Sequence, residues 1–210
     1  MPPVPWEAAC AAARNLCGID EAGRGPLAGP VCAAAVILSP DFPVGILADS
    51  KVLSAVRREK AAAVIRERSR AWALGWASPS EIDGMNILAA TLVAMARAYE
   101  GLGMRADLVL VDGNRTPDLP SPCIAVVRGD ALVPAVMAAS ILAKTARDRV
   151  MDRYDWLYPE YGYARHKGYP TREHRKLCVR LGPSPIQRLT FRVTYEGPGA
   201  QKRLPDSLHE

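Results

Sequence analysis

The sequence predicts an α/β protein, because short apolar stretches rich in valine and isoleucine alternate along the chain with longer stretches of helical period. The chain has 210 residues, of which 49% are hydrophobic. That length and composition suit a single domain over residues 1–210 with one sizeable buried core. We expect the core over about 16–150 and a basic, helical C-terminal part over about 151–192.

The N-terminal half predicts a hairpin followed by a helix and a third strand. Residues 1–14 form a loosely held start or a short helix, and residues 16–20 form a short strand. The apolar run 30–38 is too short for a typical helix and predicts a buried second strand. A glycine-containing turn joins the two strands, so we expect an antiparallel hairpin. A helix over about 54–70 and a strand over 71–77 follow.

The C-terminal half continues the alternation. The segment Ser78-Pro79-Ser80 is a breaker that contains a plausible N-cap, and Pro134 suits the first position of a helix. The elements expected here are a helix over 87–99, strands over 107–112 and 122–127, a helix over about 135–151 and a helix around 172–181. Residues 196–210 are polar, contain Gly and Pro, and predict disorder.

Composition excludes several classes of protein. No apolar run approaches the roughly 18 residues of a membrane span. The first 13 residues lack the basic-then-apolar order of a signal peptide. The five cysteines are scattered and contain no Cys-x-x-Cys pair, which disfavours a disulfide framework or a zinc site. We therefore expect a cytoplasmic protein without a membrane partner. A monomer is a separate expectation.

Positive charge is concentrated near the C-terminus. The formal net charge is +5, yet residues 164–192 alone carry +7. This basic block has one acid, Glu173, and eight basic residues: Arg165, Lys167, Arg172, Arg175, Lys176, Arg180, Arg188 and Arg192. Such a block is typical of a surface that binds a polyanion, although a solvated basic surface would have the same composition.

Four acids are distinguished by their positions: Asp20, Glu21, Asp112 and Asp130. Each lies at or just beyond the end of a predicted strand, and such ends converge at one edge of a sheet. Neighbouring side chains on a strand point to opposite faces, so Asp20 and Glu21 can share a site only if the chain turns there. Gly23 and Gly25 make such a turn plausible. Taken singly, each acid could equally be a cap or a surface charge.

Convergence of these carboxylates, without Cys or His partners, predicts a site for hard, oxygen-preferring cations such as Mg²⁺ or Mn²⁺. Two such ions would stabilise both the attacking and the leaving oxygen of a phosphodiester. Together with the basic block, the acids point to phosphoryl chemistry on a nucleic acid.

The chain resembles bacterial ribonuclease HII over about residues 16–191. The stretches that carry the resemblance occur in the family order: GIDEAGRGPLAGPV (18–31), LADSKVLS (47–54), VDGN (111–114), RGD (128–130), AASILAKTARD (138–148) and HKGYPTREH (166–174). The resemblance implies an RNase H-like fold, with a mixed central β-sheet flanked by helices and a helical C-terminal part. It also implies that the four acids are the catalytic metal ligands, with two divalent ions during catalysis.

The implied activity is cleavage of RNA–DNA hybrids, and of duplex DNA with a single embedded ribonucleotide, on the 5′ side of the ribonucleotide. The products carry a 3′-hydroxyl and a 5′-phosphate, and the reaction serves ribonucleotide removal from DNA. By resemblance, Gly23, Arg24 and Gly25 recognise the 2′-hydroxyl, the group that separates RNA from DNA at a given position. Tyr169 resembles the family tyrosine that stacks on the sugar after the ribonucleotide.

Three further residues are candidates for phosphate contacts: Lys51, Ser140 and Lys144. Ser140 and Lys144 are four residues apart and can share a helix face, although Ser140 could simply allow close helix packing. His166 and His174 could suggest a metal pair, but a structural or phosphate-side role suits them better. The segment 187–191 departs from the family pattern of His-Arg followed by Ser-Phe, which puts in doubt a DNA-backbone contact there.

Three alternatives stay open at this point. Ribonuclease HIII, which would act on hybrids only, typically has an extra N-terminal domain and a different residue between the two glycines. A nucleotide-binding protein is disfavoured because the glycine spacing is one residue too long for the dinucleotide fingerprint and no Walker motif occurs. A non-catalytic hybrid-binding module would not need four acids beside a polyanion.

Overall fold

The computed structural model describes residues 6–47 and 54–194 of the chain. The strands in these ranges are β1 (Leu16–Ala22), β2 (Val31–Leu38), β3 (Ser69–Ala77), β4 (Leu108–Asp112) and β5 (Cys123–Val126). The helices are α1 (Trp6–Ala12), α2 (Ala55–Arg68), α3 (Pro79–Met85), α4 (Ile87–Glu100), α5 (Gly129–Leu132), α6 (Pro134–Leu157), α7 (Tyr163–His166) and α8 (Arg172–Leu181). Short 3₁₀ turns lie at Val44–Leu47 and Pro159–Tyr161.

The strands form one mixed sheet in the order β3-β2-β1-β4-β5. The first three strands are antiparallel neighbours, and β1, β4 and β5 are parallel. The register places Asp20 opposite Ala34 and Ile19 beside Val111. The pairing of β1 with β4 ends at that Ile19 pair, so β1 extends beyond β4 at this end of the sheet.

Helices cover both faces of the sheet. Helix α6 packs against β1 and β2 on one face, and α4 packs against β3 and β2 on the other. Strand β2, between β3 and β1, is buried from Val31 to Ile37, and its run of small residues, Ala33 to Ala35, lets both helices approach closely. Gly18 in β1 lies directly under α6, where a Cβ atom would overlap the backbone of Ala135 and Val136.

The C-terminal part folds back onto α6 and the loop that follows β1. Met151 of α6 packs with Tyr161, Tyr163, Ile186 and, from the loop, Ala28 in a separate small core. A single antiparallel bridge joins Ala28 to Gln187. The last described segment therefore lies against the loop between β1 and β2, more than 150 residues earlier in the sequence.

Most of the predicted elements are confirmed, including the antiparallel hairpin and the helix over 172–181. Four details were wrong. Strand β1 runs two residues further than predicted, to Ala22. Ser78 caps an additional helix, α3, through a capping box with Glu81. The loop containing Asp130 is the one-turn helix α5, and α6 continues to Leu157.

Two further predictions concern membrane spans and cysteines. No helix in the described ranges has the length and apolar character needed to cross a membrane. The five cysteines are all free, and three of them are buried. A cytoplasmic location stays a prediction.

Candidate active site

The four predicted acids lie at the end of the sheet where β1 extends beyond β4. Asp20 and Glu21 belong to β1, Asp112 is the last residue of β4, and Asp130 lies in α5, just after β5. Because β1, β4 and β5 are parallel, their carboxyl ends meet at this edge. The expected convergence of strand ends is therefore present.

Asp20 is the most enclosed of these carboxylates, with 5% of its surface exposed. It lies opposite Ala34, whose side chain packs against α6, so Asp20 points to the α6 side of the sheet. One carboxylate oxygen accepts a hydrogen bond from the Glu21 N–H (2.7 Å). Burial and the charges of Glu21 and Asp112 raise the pKa of Asp20 well above its usual value, while a hydrogen bond with Ser140 opposes the rise.

Glu21 lies on the other face of the strand, opposite Ala33, yet its carboxylate meets that of Asp20. We expected that the chain would have to turn for the two acids to share a site, and this was wrong, since β1 stays extended through Ala22. Strand β4 does not continue beside this part of β1. Both side chains can therefore reach round the uncovered edge of β1 to the same place.

Arg24 balances part of the negative charge on Glu21. Its Nη1 lies 3.3 Å from Oε1 of Glu21. Burial raises the pKa of Glu21, the Arg24 guanidinium opposes that rise, and Asp112 adds to it. Glu21 and Asp112 thus interact electrostatically, as do Asp20 and Asp112. Three of the four predicted acids form one electrostatically connected group.

Asp130 is connected to this group through the backbone. Its N–H donates to the Oδ1 of Asp112 (3.2 Å), and 8% of its own surface is exposed. Arg128, which precedes α5, has a left-handed backbone (φ 61°) that turns the chain sharply from β5 into the helix. That turn returns Asp130 to the end of β4.

The donor set fits a hard divalent cation in its chemistry, since all four side chains offer carboxylate oxygens and two are buried. As the side chains stand, no three His, Cys, Asp or Glu residues of the described ranges are arranged to hold a metal ion. The acids are near one another without forming a closed set of ligands, and the repulsion between like charges opposes a tighter cluster.

A cavity of about 460 Å³ opens beside the acids. Its lining comes from β1 and the loop after it, from α2 and α6, and from the turn before α8: Glu21, Ala22, Gly23, Arg24, Gly25, Arg58, Ser140, Ile141, Lys144 and Tyr169. Six predicted substrate-binding residues are therefore brought to one place. The seventh, Lys51, lies outside the described residues.

The structure accounts for glycine at positions 23 and 25 in different ways. Gly23 has a left-handed backbone (φ 104°), and a Cβ there would overlap the side chain of Arg147. Only glycine fits that position without rearrangement. A Cβ at Gly25 would meet only Tyr169, at 3.9 Å, so the structure leaves room above it on the cavity side.

Lys144 and Arg58 form the basic wall of the cavity, and both bind Asp148. Nζ of Lys144 lies 2.8 Å from one Asp148 oxygen and Nη1 of Arg58 lies 3.7 Å from the other. Sequence reasoning missed Arg58 and Asp148. The pair Lys144 and Asp148, four residues apart in one helix, was the signal that could have indicated Asp148.

Tyr169 is 38% exposed, and its ring faces the cations of α6. Nζ of Lys144 lies 5.5 Å from the ring centroid and Cζ of Arg147 lies 5.8 Å from it. His166 and His174 are stacked behind this turn with centroids 4.1 Å apart. Each His contacts a backbone carbonyl, of Tyr161 and Tyr169 respectively, and these contacts favour the structural interpretation of the pair.

The basic block divides into structural and exposed members. Arg188 is fully buried, Lys167 pairs with Asp152, and Arg165 pairs with Glu173. Four of the eight stay exposed without a described ion pair: Arg172, Lys176, Arg180 and Arg192. The first three are spaced by four residues along α8 and form one basic stripe. The basic surface is therefore smaller than the sequence suggests.

The segment 187–191 makes internal contacts. Gln187 and Arg188 are buried, and the N–H groups of Leu189 and Thr190 donate to the carboxylate of Asp83 (2.9 and 3.0 Å). From the sequence we considered this segment only as a place for DNA contacts. Its departure from the family motif gave no sign that it makes structural contacts within the protein.

Comparison with known proteins gives consistent results. A sequence model of the family described as Ribonuclease HII matches residues 17–195. Ribonuclease HII of Laribacter hongkongensis (strain HLHK9) is 57% identical over 180 residues, which is 85% of this chain and 91% of that protein.

Solved structures show the same fold. Ribonuclease H2 of Pyrococcus horikoshii OT3 has a TM-score of 0.71 and 27% identity, and the match covers 85% of this chain and 94% of that one. RNase HII of Archaeoglobus fulgidus, solved in a complex with PCNA, has a TM-score of 0.71 and 28% identity, with 87% and 98% covered.

Proposed function

The chain belongs to the ribonuclease HII family, and we propose that it cuts duplex DNA on the 5′ side of an embedded ribonucleotide, as well as the RNA strand of RNA–DNA hybrids. The family activity makes the chain an endoribonuclease of RNA–DNA hybrids. The products would carry a 3′-hydroxyl and a 5′-phosphate, and the cellular role would be ribonucleotide removal from DNA. Membership of this family disfavours the ribonuclease HIII alternative.

The observation that carries the proposal is the electrostatic connection of Asp20, Glu21 and Asp112 beside a cavity with basic walls. Buried carboxylates with a raised pKa are costly to keep charged, which favours a function that needs the charge. A purely binding surface for a polyanion would gain nothing from them. The arrangement therefore supports catalysis over a non-catalytic hybrid-binding module.

We infer that Asp20, Glu21, Asp112 and Asp130 hold divalent cations, Mg²⁺ or Mn²⁺, with two ions during catalysis. When bound, such ions supply electrostatic stabilisation of the attacking and leaving oxygens of a phosphodiester. Ser140 orients the Asp20 carboxylate through its hydroxyl, and Arg24 restrains Glu21. Asp130 fixes the Asp112 carboxylate through its own backbone N–H.

The remaining lining residues would bind the nucleic acid. Lys144 and Arg58 can neutralise phosphates next to the cut, with Asp148 holding both cations in place. The loop of Gly23, Arg24 and Gly25 would contact the ribose, and Tyr169 would stack on the sugar that follows. Lys51 stays a candidate phosphate contact. We expect the enzyme to act as a monomer in the cytoplasm.

The experiment that tests the proposal uses a DNA duplex with one ribonucleotide, with Mg²⁺ added or omitted, and maps the ends of the products. We expect a metal-dependent cut on the 5′ side of the ribonucleotide. Asp112→Asn should abolish it. Asp107→Asn is the matched control, because Asp107 precedes the opposite end of the same strand, where it accepts the N–H groups of Arg14 and Asn15.

Two results would contradict the proposal. Near wild-type cleavage by Asp112→Asn would show that the acids are not required for the reaction. Tight binding of the duplex by the wild-type chain without any cut, in Mg²⁺ or in Mn²⁺, would favour the binding module.

A further inference from the structure

Arg188 is fully buried, its guanidinium donates hydrogen bonds to backbone carbonyls, and Cζ lies 5.1 Å from the centroid of the Phe191 ring. Its four carbonyl acceptors all come from the loop after β1: Gly29 (2.9 Å from Nε), Arg24 and Pro26 (3.0 and 2.8 Å from Nη1) and Gly23 (2.6 Å from Nη2). The backbone N–H of Arg188 donates to a fifth carbonyl, that of Leu27 (2.9 Å). Arg188, near the C-terminal end of the described chain, therefore forms hydrogen bonds along the whole loop.

Arg147 of α6 binds the same loop from another side. It is also fully buried, and its guanidinium donates to the carbonyls of Pro30 (3.0 Å), Ala28 (3.1 Å) and Lys167 (2.9 Å). The side chain occupies the space that a Cβ at Gly23 would fill. Its Cζ lies 5.8 Å from the Tyr169 ring. Arg147 therefore connects the loop to the turn that presents Tyr169.

Together the two arginines set the direction of the peptide units. Between Gly23 and Pro30, every carbonyl except that of Gly25 accepts a hydrogen bond from Arg147 or Arg188. In the part of the chain that the structure describes, the N–H groups of Arg24 and Gly25 donate to no protein atom. With the carbonyls held inward, N–H groups are left for the cavity side, where a hydroxyl or phosphate oxygen can accept them.

The Arg188 guanidinium keeps its charge at neutral pH. Burial, and then the neighbouring charge of Arg147, lowers the pKa of Arg188 to about 9, which leaves it protonated at pH 7. A planar guanidinium offers five N–H donors in a fixed fork, whereas a lysine offers three donors at one point. A lysine at position 188 could keep the charge but could not reach carbonyls on both sides of the fork.

We propose that Arg188, with Arg147 behind it, is a positioning residue that determines specificity for the ribose 2′-hydroxyl. The inference rests on the proposed function, because it assigns to this pair the shape of the loop that would contact the ribose. The arginines touch no substrate themselves. They fix the peptide units of this loop in an orientation that leaves the N–H groups of Arg24 and Gly25 available to the cavity, which both residues line.

The test measures binding preference in EDTA with the full chain, using two duplexes that differ in one 2′-hydroxyl. The wild-type chain should bind the ribonucleotide duplex more tightly than the all-DNA duplex. Arg188→Lys should reduce that preference at least tenfold and leave the affinity for the all-DNA duplex within about twofold. Amide hydrogen exchange should become faster in residues 23–29 and stay unchanged in β4.

The matched control is Tyr99→Phe, which breaks a buried hydrogen-bond network with Ser121 and Ala106 at the far end of the sheet. It should destabilise the protein and leave the preference within twofold of wild type. If Arg188→Lys does not fold, Arg147→Lys loosens the same loop from the other side and should show the same loss.

A preference unchanged in the folded arginine variants would overturn the inference and leave the pair as a structural anchor. Absence of any preference in the wild-type chain is a separate result, because it would contradict the proposed function itself and with it the basis of this inference.

Discussion

Asp20 is a buried carboxylate surrounded by more negative than positive charge. Glu21 and Asp112 both raise its pKa, and the described group that stabilises its charged form from outside the strand is Ser140. We therefore expect the charged Asp20 side chain to lower the stability of the folded state. Function and stability make opposite demands at this position.

The first prediction concerns Asp20→Asn in EDTA. The raised pKa means that the folded state binds more protons than the unfolded state between the usual pKa of 3.8 and the raised one, so stability falls as pH rises through that window. The variant removes this penalty and should unfold at a higher temperature than wild type at pH 8. A gain of about 1 kcal/mol would raise Tm by roughly 2–4 °C in a chain of this size.

Thermal unfolding at pH 8 and pH 5 measures the effect, and the gain should shrink at the lower pH. Asp107→Asn, at the other end of the sheet, should show no such gain. A Tm for Asp20→Asn below that of wild type at pH 8 would show that the carboxylate stabilises the fold.

The second prediction concerns the ring of Tyr169. Tyr169→Ala removes a surface for stacking on one sugar, so cleavage of a duplex with a single ribonucleotide should fall at least tenfold, and more than cleavage of a continuous hybrid. Tyr169→Phe should retain most activity. Initial rates on both substrates give the comparison, with Trp156→Ala as the control, since Trp156 is 82% exposed and does not line the cavity. Equal losses on both substrates would exclude a junction-sensing role.

At the scale of elements, α8 holds the Tyr169 turn through a histidine. The Tyr169 carbonyl can only accept, so Nδ1 of His174 carries the proton of that 3.0 Å bond. Nε2 is buried with no partner among the described atoms. Protonation would place a charge on a buried nitrogen beside His166, and burial together with that neighbour lowers the pKa of His174 to about 4.

The third prediction follows from this lowered pKa. The unfolded state binds more protons than the folded state between about pH 4 and 6.5, so the stabilisation is complete above 6.5 and is lost as pH falls through that window. The loss should reach on the order of 3 kcal/mol near pH 4. Urea unfolding from pH 7 to pH 4 measures it. His174→Phe keeps a ring in the stack and should flatten this pH dependence; an unchanged slope would assign it to other groups.

The basic stripe of α8 leads to the fourth prediction. Arg172, Lys176 and Arg180 share one exposed face, so they can displace counterions from a duplex. Changing all three to Gln should weaken binding to duplexes of any sequence and lower the slope of log affinity against log salt by up to about 3. Titrations at several salt concentrations measure the slope. The control is Arg68→Gln, which changes an arginine paired with Asp41 away from the cavity. An unchanged slope would place the duplex elsewhere.

At the scale of the whole molecule, the sequence predicted the sheet, the main helices and the convergence of acids well. Hydrophobic period and strand length are local signals, and the β1–β2 hairpin and α8 follow from them. The length of β1 was not predictable in this way, because Asp20 and Glu21 are extended only through pairing with β2. The structural use of Arg188 was also hidden, because its acceptors are about 160 residues earlier in the chain.

The close approach of α6 to β1 at Gly18 has a consequence for alignment across the molecule. Helix α6 carries Ser140, Lys144 and Arg147, while β1 carries Asp20 and Glu21. The absence of a side chain at position 18 therefore determines the distance between the functional residues of α6 and the acids of β1. A single methyl group there would displace the three functional side chains of α6 together, away from the acids of β1. Such a variant could fold well and still have its active-site residues at the wrong distances.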